Sequence, residues 1–283
     1  MAGQFNPVVP ARDRIFDQLA AGHDQEVLRY TAFCADRLVH RLHPAAGEKI
    51  LDVATGTGSV ALAAAQAVGP DGRVTAIDTV EPMLARLEAK IGKFGLANID
   101  VHDMDGAHLG FRRDYFHHVV CSLGLFWFSE PMSALREWWR VARPGGGVIF
   151  TTFAANVFAP LLGHLRRTLE QRGMRITVPW ESLSDQRVLE SLMHAAGFED
   201  VDISEEQLGY HLKDVHQWWE VAQHSGLLSL IDPLPTNAIG PLQSAHMTEV
   251  ESVMTADGLW LDVPVLFVCG RKPAAGKGVG SGS

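Results

Sequence analysis

Between Lys49 and Phe153 the chain alternates short apolar runs with segments of helical periodicity. Lys49 to Val53, Arg73 to Asp78, Ile99 to His102, Val119 to Ser122 and Val148 to Phe153 read as strands. Ser59 to Val68, Pro82 to Phe94 and Pro131 to Ala142 read as helices, the first two closed by Gly69 and Gly95. Strands that alternate with helices are joined by right-handed crossovers, which lays them parallel in one sheet with helices on both faces. An α/β, doubly wound fold is expected, with ligands bound beyond the carboxyl ends of its strands.

The flanks read differently. Residues 1 to 11 hold Pro7 and Pro10 and look like an arm. From Arg12 to Leu42 the apolar spacing of Ile15, Phe16, Leu19, Val27, Leu28, Leu38 and Leu42 predicts two helices, the second stopped by Pro44. Beyond the fifth strand, Ser184 is expected to cap a helix carrying Val188, Leu189 and Leu192 and closed at Gly197. Phe198 to Ser204 and Val263 to Cys269 read as two more strands, and between them helical patterns run over Lys213 to Gln223 and Pro241 to Thr255. The organisation expected is an amino-terminal helical arm and lid (1–44), a core (45–204), a helical insertion serving as a substrate lid (205–258), a last core strand (259–272) and a flexible tail (273–283).

Composition narrows the function. A chain of 283 residues, 47% hydrophobic and 20% charged, is long enough for one enlarged domain with a large core and too apolar for bulk disorder. Its 24 Lys and Arg against 33 Asp and Glu leave a net charge of −9, which argues against a duplex nucleic-acid partner. Cys34, Cys121 and Cys269 are too far apart for a disulfide framework or a CxxC site, and none of the 13 histidines has ligand spacing, so no metal is expected. No signal-peptide pattern or run of about 18 apolar residues occurs, and a cytoplasmic, soluble protein without a membrane span is expected. Homodimerisation is left open.

The chemistry concentrates in ILDVATGTGSVALA, where Asp52 ends the first strand and Gly56 and Gly58 form the turn into a helix. Glycines let the backbone approach a ligand, and the helix amino terminus offers unpaired N–H groups. The same residues satisfy a GxGxxA dinucleotide fingerprint with Asp78 as the ribose-binding acid, so a nicotinamide-dependent oxidoreductase stays open at this point.

Further segments resolve the ambiguity. ILDVATGTG, VTAIDTVEPML, DGAHLGF and WWRVARPGGGVIF, in this order and spacing, resemble the motifs of the class I S-adenosylmethionine (SAM) methyltransferases over about residues 12 to 272. IFDQLAAGHD, residues 15 to 24, is similar to the amino-terminal FDxxAxxYD segment of the ubiquinone/menaquinone C-methyltransferase-like branch, with His23 where that branch usually has Tyr. The resemblance implies a Rossmann-like, seven-stranded, mostly parallel sheet under a helical lid, and methyl transfer from SAM to a small molecule with S-adenosylhomocysteine as product. It further implies that Asp52 and the backbone of Ala54, Thr55, Gly56 and Gly58 hold the amino-acid moiety, and that Asp78 accepts from the ribose hydroxyls. Thr79 and Met83 would pack beside the adenine, Asp105 and Gly106 would meet its polar edge, and Ser122 and Leu123 would lie near the methyl-donor end.

Methyl transfer from a sulfonium is an in-line displacement that needs no metal, and a general base helps only a hydroxyl or amine acceptor. His23, His118 and His224 are the candidates for that base. Phe126, Trp127 and Phe128 are candidates to face the sulfonium, and Trp218, Trp219 and Trp260 to stack on an aromatic or apolar acceptor. A SAM-binding protein without catalysis is the remaining alternative.

Overall fold

A computed structural model describes residues 12–174 and 176–274; the arm expected over residues 1–11 and the tail from residue 275 lie outside the described residues. Two helices, α1 (Arg12–Gly22) and α2 (Tyr30–Leu42), precede the sheet. The alternating part follows as β1 (Lys49–Val53), α3 (Ser59–Val68), β2 (Arg73–Asp78), α4 (Glu81–Phe94) and β3 (Ile99–Asp103). It continues through β4 (Phe116–Ser122), α5 (Pro131–Val141) and β5 (Ala142–Phe153). Then come α6 (Leu161–Glu170), α7 (Gln186–Ala196), β6 (Glu199–Gln207), β7 (Tyr210–Leu212), α8 (Val215–His224) and α9 (Leu228–Ile231). The described chain closes with α10 (Thr236–Glu251), β8 (Leu259–Leu261) and β9 (Pro264–Arg271).

Seven strands form one sheet in the order β3-β2-β1-β4-β5-β9-β6. All pairings from β3 to β5 are parallel, and β9 runs antiparallel to both β5 and β6. β1 shows why the centre is stable: Ile50, Leu51 and Val53 have no exposed surface, as expected of a strand covered by helices on both faces. On one face α3 packs through Ala61, Ala64 and Val68, whose small side chains allow a close helix–sheet approach. On the other, α5 and α7 bury Trp138, Leu135, Leu189 and Met193. The strand order reverses between β1 and β4, which opens a crevice above their carboxyl ends.

Several boundaries differ from the sequence reading for local reasons. The cap of α7 is Asp185, which accepts from the backbone N–H groups of Arg187 and Val188, whereas Ser184 donates its hydroxyl to Glu181 O in the preceding turn. α10 starts at Thr236, not at Pro241. Pro241 is exposed inside the helix, so the carbonyl it leaves unpaired is on a solvated face. α6 was not assigned from sequence. Nor was the small antiparallel sheet of β7 and β8, which pairs Tyr210 with Leu261 and Leu212 with Leu259 and staples the base of the segment carrying α8, α9 and α10.

Candidate active site

The carboxyl ends of β1, β2, β3 and β4, with α1 and the first turns of α3 and α4, line a cavity of about 720 Å³ at the crevice. β1 contributes Asp52 and the turn Ala54, Thr55 and Gly56; β2 contributes Asp78; Ser122, Leu123 and Gly124 follow from β4. The floor holds two non-glycine residues in the left-handed region, Ala54 and Leu123, each at φ 52°. Such residues cost of order 1 kcal/mol or more and persist where the surrounding packing over-determines them. A β-carbon on Gly124 would stand 2.7 Å from the Ala54 β-carbon, so the two turns meet at a distance that only glycine permits.

Asp52 is 1% exposed. Its Oδ2 accepts from Thr55 Oγ1 at 2.6 Å, while Oδ1 has no hydrogen-bond partner. Burial pushes the carboxyl up to about 7, with the Asp78 charge adding to the shift and the Thr55 hydroxyl and the Ala61 backbone opposing it. A buried carboxylate in a residue that lines the cavity, with one oxygen lacking a hydrogen bond, is suited to a cationic ligand group.

Asp78 organises the turn opposite. Its Oδ2 accepts from Gly56 N at 2.8 Å and its Oδ1 from Thr79 N and Val80 N at 2.8 and 3.1 Å. Gly56, at φ 55°, presents that N–H from a conformation that favours glycine. Thr79 and Met83 line the same wall, Met83 from the first turn of α4. Asp105 and Gly106 line the adjoining side. Asp105 accepts from Ala107 N and lies 2.9 Å from His108 Nδ1. A β-carbon on Gly106 would stand 2.3 Å from Val53 Cγ1 and 2.9 Å from Phe128 Cζ.

The roof is α1. Ile15, Leu19 and Ala20 pack with Met83 of α4 and Leu228 of α9, and the Phe16 ring meets Trp127 edge-on at 5.0 Å. His23, at the end of this helix, reaches the cavity beside Gly56; its Nδ1 is 3.2 Å from Thr57 Oγ1. Burial lowers its pKa to about 4, with Lys90 and Arg86 adding to the effect and Asp24 opposing it, so the ring is neutral at pH 7.

Other expected residues lie elsewhere. Gly58 does not line the cavity: it caps α3 at φ 87°, and a β-carbon there would meet Leu87 Cδ1 at 2.2 Å, so this glycine serves packing. His118 pairs across to Ile50 at the amino-terminal end of the sheet, opposite the cavity, with Nε2 3.0 Å from Glu48 Oε2. His224 sits behind α1, its ring against Gly22 and its Nε2 3.4 Å from Gln25 Nε2. Both are removed from the candidate bases. Trp218 and Trp219 are buried in the packing of α8, and Trp260 is 40% exposed against the His211 ring, so none reaches the cavity. Trp127 and Phe128 do reach it, whereas Phe126 packs against Phe153 and Trp180.

Phe16, Asp17 and Thr31 line the cavity without having been singled out from the sequence. The apolar face of α1 was visible in its spacing, yet periodicity does not distinguish a face over a cavity from one over a core. Among the described residues there is no group of three or more His, Cys, Asp or Glu able to hold a metal, and no helix is long and apolar enough to cross a membrane.

Comparison with known proteins agrees with this geometry. The profile of a methyltransferase-domain family matches residues 50–146. The chain is 31% identical over 170 residues to the ubiquinone/menaquinone biosynthesis C-methyltransferase UbiE of Photorhabdus laumondii subsp. laumondii, a match spanning 55% of this chain and 68% of the relative. It is 33% identical over 137 residues to the nocamycin O-methyltransferase of Saccharothrix syringae, spanning 48% of this chain and 49% of that one. The crystal structure of YcgJ from Bacillus subtilis shares the fold with a TM-score of 0.60 at 16% identity, covering 85% of this chain and 98% of the other.

Proposed function

The chain belongs to the class I SAM-dependent methyltransferases, in the branch of the ubiquinone/menaquinone C-methyltransferases, and from this premise we propose how its cavity binds the cofactor and what acceptor it takes. The protein is a SAM-dependent methyltransferase acting on a small molecule. Family membership sets aside the nicotinamide-dependent and the catalytically silent readings. The antiparallel β9 between β5 and β6 also opposes the former, because the dinucleotide fold carries a parallel sixth strand beyond the fifth.

The unpaired Oδ1 of Asp52 carries the proposed orientation of the cofactor. An ammonium group placed there satisfies the orphaned oxygen and favours the ionised carboxylate that burial opposes. The backbone of Ala54, Thr55 and Gly56 would flank the rest of the amino-acid moiety. Asp78 would receive the ribose hydroxyls. Three backbone N–H groups already hold its carboxylate, so it meets the ligand in a fixed orientation, and the hydroxyls share or displace those bonds. Thr79 and Met83 would pack on the adenine, with Asp105 and Gly106 at its polar edge. Ser122 and Leu123 would border the methyl-donor end.

Bound SAM supplies an electrophilic methyl group on a sulfonium. The chain's own contribution is positioning and exclusion of water by α1, whose apolar face closes against Met83, Leu228 and Trp127. The aromatic side chains of Phe16, Trp127 and Phe128 support an aromatic or apolar acceptor. The names of the two relatives, a quinone C-methyltransferase and an O-methyltransferase, are both compatible with such an acceptor.

Calorimetric titration with S-adenosylhomocysteine and, separately, NADH tests the cofactor reading. Micromolar binding of the former alone is expected; binding of NADH alone overturns it. Methyl transfer from labelled SAM to a panel of quinols, phenols and amines then identifies the acceptor class.

A further inference from the structure

Beside the cavity, four side chains form a hydrogen-bonded chain whose polarity is decided at one end. Lys90 Nζ donates to Asp24 Oδ1 at 2.6 Å, and Thr57 Oγ1 donates to the same oxygen at 2.6 Å. His23 Nδ1 lies 3.2 Å from Thr57 Oγ1. Lys90 also donates to Thr57 O at 3.0 Å, so the ammonium grips the turn and the carboxylate together. Burial acts to raise the Asp24 pKa, but the hydrogen bonds from Lys90 and Thr57 outweigh it and keep the group ionised at neutral pH.

An ionised carboxylate can only accept. Thr57 therefore spends its single hydroxyl proton on Asp24, and the hydrogen in the His23 contact must come from Nδ1. A neutral imidazole carries one N–H, which leaves Nε2 with a bare lone pair. That nitrogen stands 3.5 Å from the point where a β-carbon on Gly56 would be, on the cavity wall.

We propose that Lys90, Asp24 and Thr57 fix the tautomer of His23, so that Nε2 faces the cavity as a hydrogen-bond acceptor and receives a hydroxyl or ammonium group of the bound ligand. His23 is then a binding residue selective for donors, and Asp24 a positioning residue acting through it. The donor has two sources, the cofactor's own hydroxyl or ammonium groups or an O–H of the methyl acceptor. Only the identity of the ligand rests on the methyltransferase reading; the tautomer follows from the network and the burial that keeps the ring neutral.

The test is long-range ¹H–¹⁵N correlation NMR on protein labelled with ¹⁵N-histidine at pH 7, alone, with S-adenosylhomocysteine, and with S-adenosylhomocysteine plus 1-naphthol. The expected result is a protonated Nδ1 and an unprotonated Nε2 for His23, with Nε2 moving upfield on ligand addition. Movement with S-adenosylhomocysteine assigns the donor to the cofactor, and movement only once 1-naphthol is present assigns it to the acceptor. Movement with neither overturns the ligand half of the proposal. In Asp24→Ala the acceptor of the Thr57 proton is removed and the Thr57 hydroxyl is free to donate to Nδ1. The ring then takes the opposite tautomer, and affinity for whichever ligand moved Nε2 falls about tenfold, as expected for one mispaired hydrogen bond. His23→Gln, which keeps an acceptor at the cavity, retains more affinity than His23→Phe. A protonated Nε2 or a cationic ring in the unmodified protein, or an unchanged tautomer in Asp24→Ala, overturns the proposal. The resonances of buried His246 report in each variant that the chain is folded. Failure of S-adenosylhomocysteine to bind at all counts against the cofactor reading and leaves the tautomer result standing.

Discussion

The backbone N–H of Gly56 donates to Asp78 Oδ2 at 2.8 Å, tying the turn after β1 to the end of β2. One carboxylate thus shapes the turn and faces the cavity. Asp78→Ala is expected to weaken S-adenosylhomocysteine binding about 10- to 100-fold, equivalent to roughly 1.5–3 kcal/mol of charged hydrogen bonding. Calorimetric titration checks this, and an unchanged dissociation constant sinks the ribose role.

With Asp52 as the proposed partner of the ligand's ammonium group, binding is expected to depend on pH. Burial pushes the Asp52 carboxyl up to about 7 in the free protein, and an ammonium partner would favour the ionised form, so binding below pH 7 would expel a proton. Affinity for S-adenosylhomocysteine is expected to rise between pH 5.5 and 7, with proton release visible when the calorimetric enthalpy is compared across buffers. Asp52→Asn should abolish the proton release and weaken binding. Without ligand the sign for stability is reversed. The folded state keeps a proton that the unfolded chain loses near 3.8, so this group lowers stability as pH rises toward 7.

Gly106 leaves no room for a side chain. Gly106→Ala would place a methyl 2.3 Å from Val53 Cγ1, an atom of the buried strand β1 that cannot swing away. Overpacking of this kind costs about 1–3 kcal/mol. Thermal unfolding should show the loss, and titration a weaker complex. Wild-type values for both would mean that Phe128 and Val53 yield more easily than their burial implies.

His246, with no exposed surface, accepts from Trp218 Nε1 at 2.7 Å, and burial lowers its pKa to about 4. The unfolded chain takes up this proton near 6.5 and the folded chain only near 4. The contribution to stability is therefore complete above pH 6.5 and is lost as pH falls toward 4, by roughly 3 kcal/mol at the acid end. His246→Gln keeps an acceptor for Trp218 without the titration. Its melting temperature should fall less than the wild type's between pH 6.5 and 4.5; parallel curves would show that His246 does not control this window.

The parallel half of the fold was legible because its signals are local. Gly69 and Gly95 end helices, Asp78 ends β2 and Asp52 is the next-to-last residue of β1, and the order of the elements dictates the crevice. The cavity floor was accessible by the same route, since Ala54, Asp78, Gly106 and Leu123 follow strand ends. The roof was not. Phe16 and Thr31 meet the cavity through packing between segments far apart in sequence, and α1 looks the same whether it covers a ligand or a core. His118 was misplaced for the opposite reason: its strand was recognised, but Phe116 begins it three residues earlier than Val119, which puts His118 inside the strand near the end remote from the site. His224 ends α8 in the helical insertion, where nothing local in the sequence fixes the direction of a side chain.

β6 lies at the edge of the sheet and pairs with β9 alone, and β9 is separated from it by more than fifty residues. During synthesis, β1 to β5 can assemble as each crossover is completed. Until β9 pairs with it, the acidic strand β6 has no neighbour in the sheet. Its charges suit that interval, because an unpaired edge carrying Glu199, Asp202, Glu205 and Glu206 is a poor template for another chain. Inserting β9 closes the sheet, and β8 immediately before it pairs with β7, so one segment both covers the edge strand and anchors the helices whose Leu228 packs on α1.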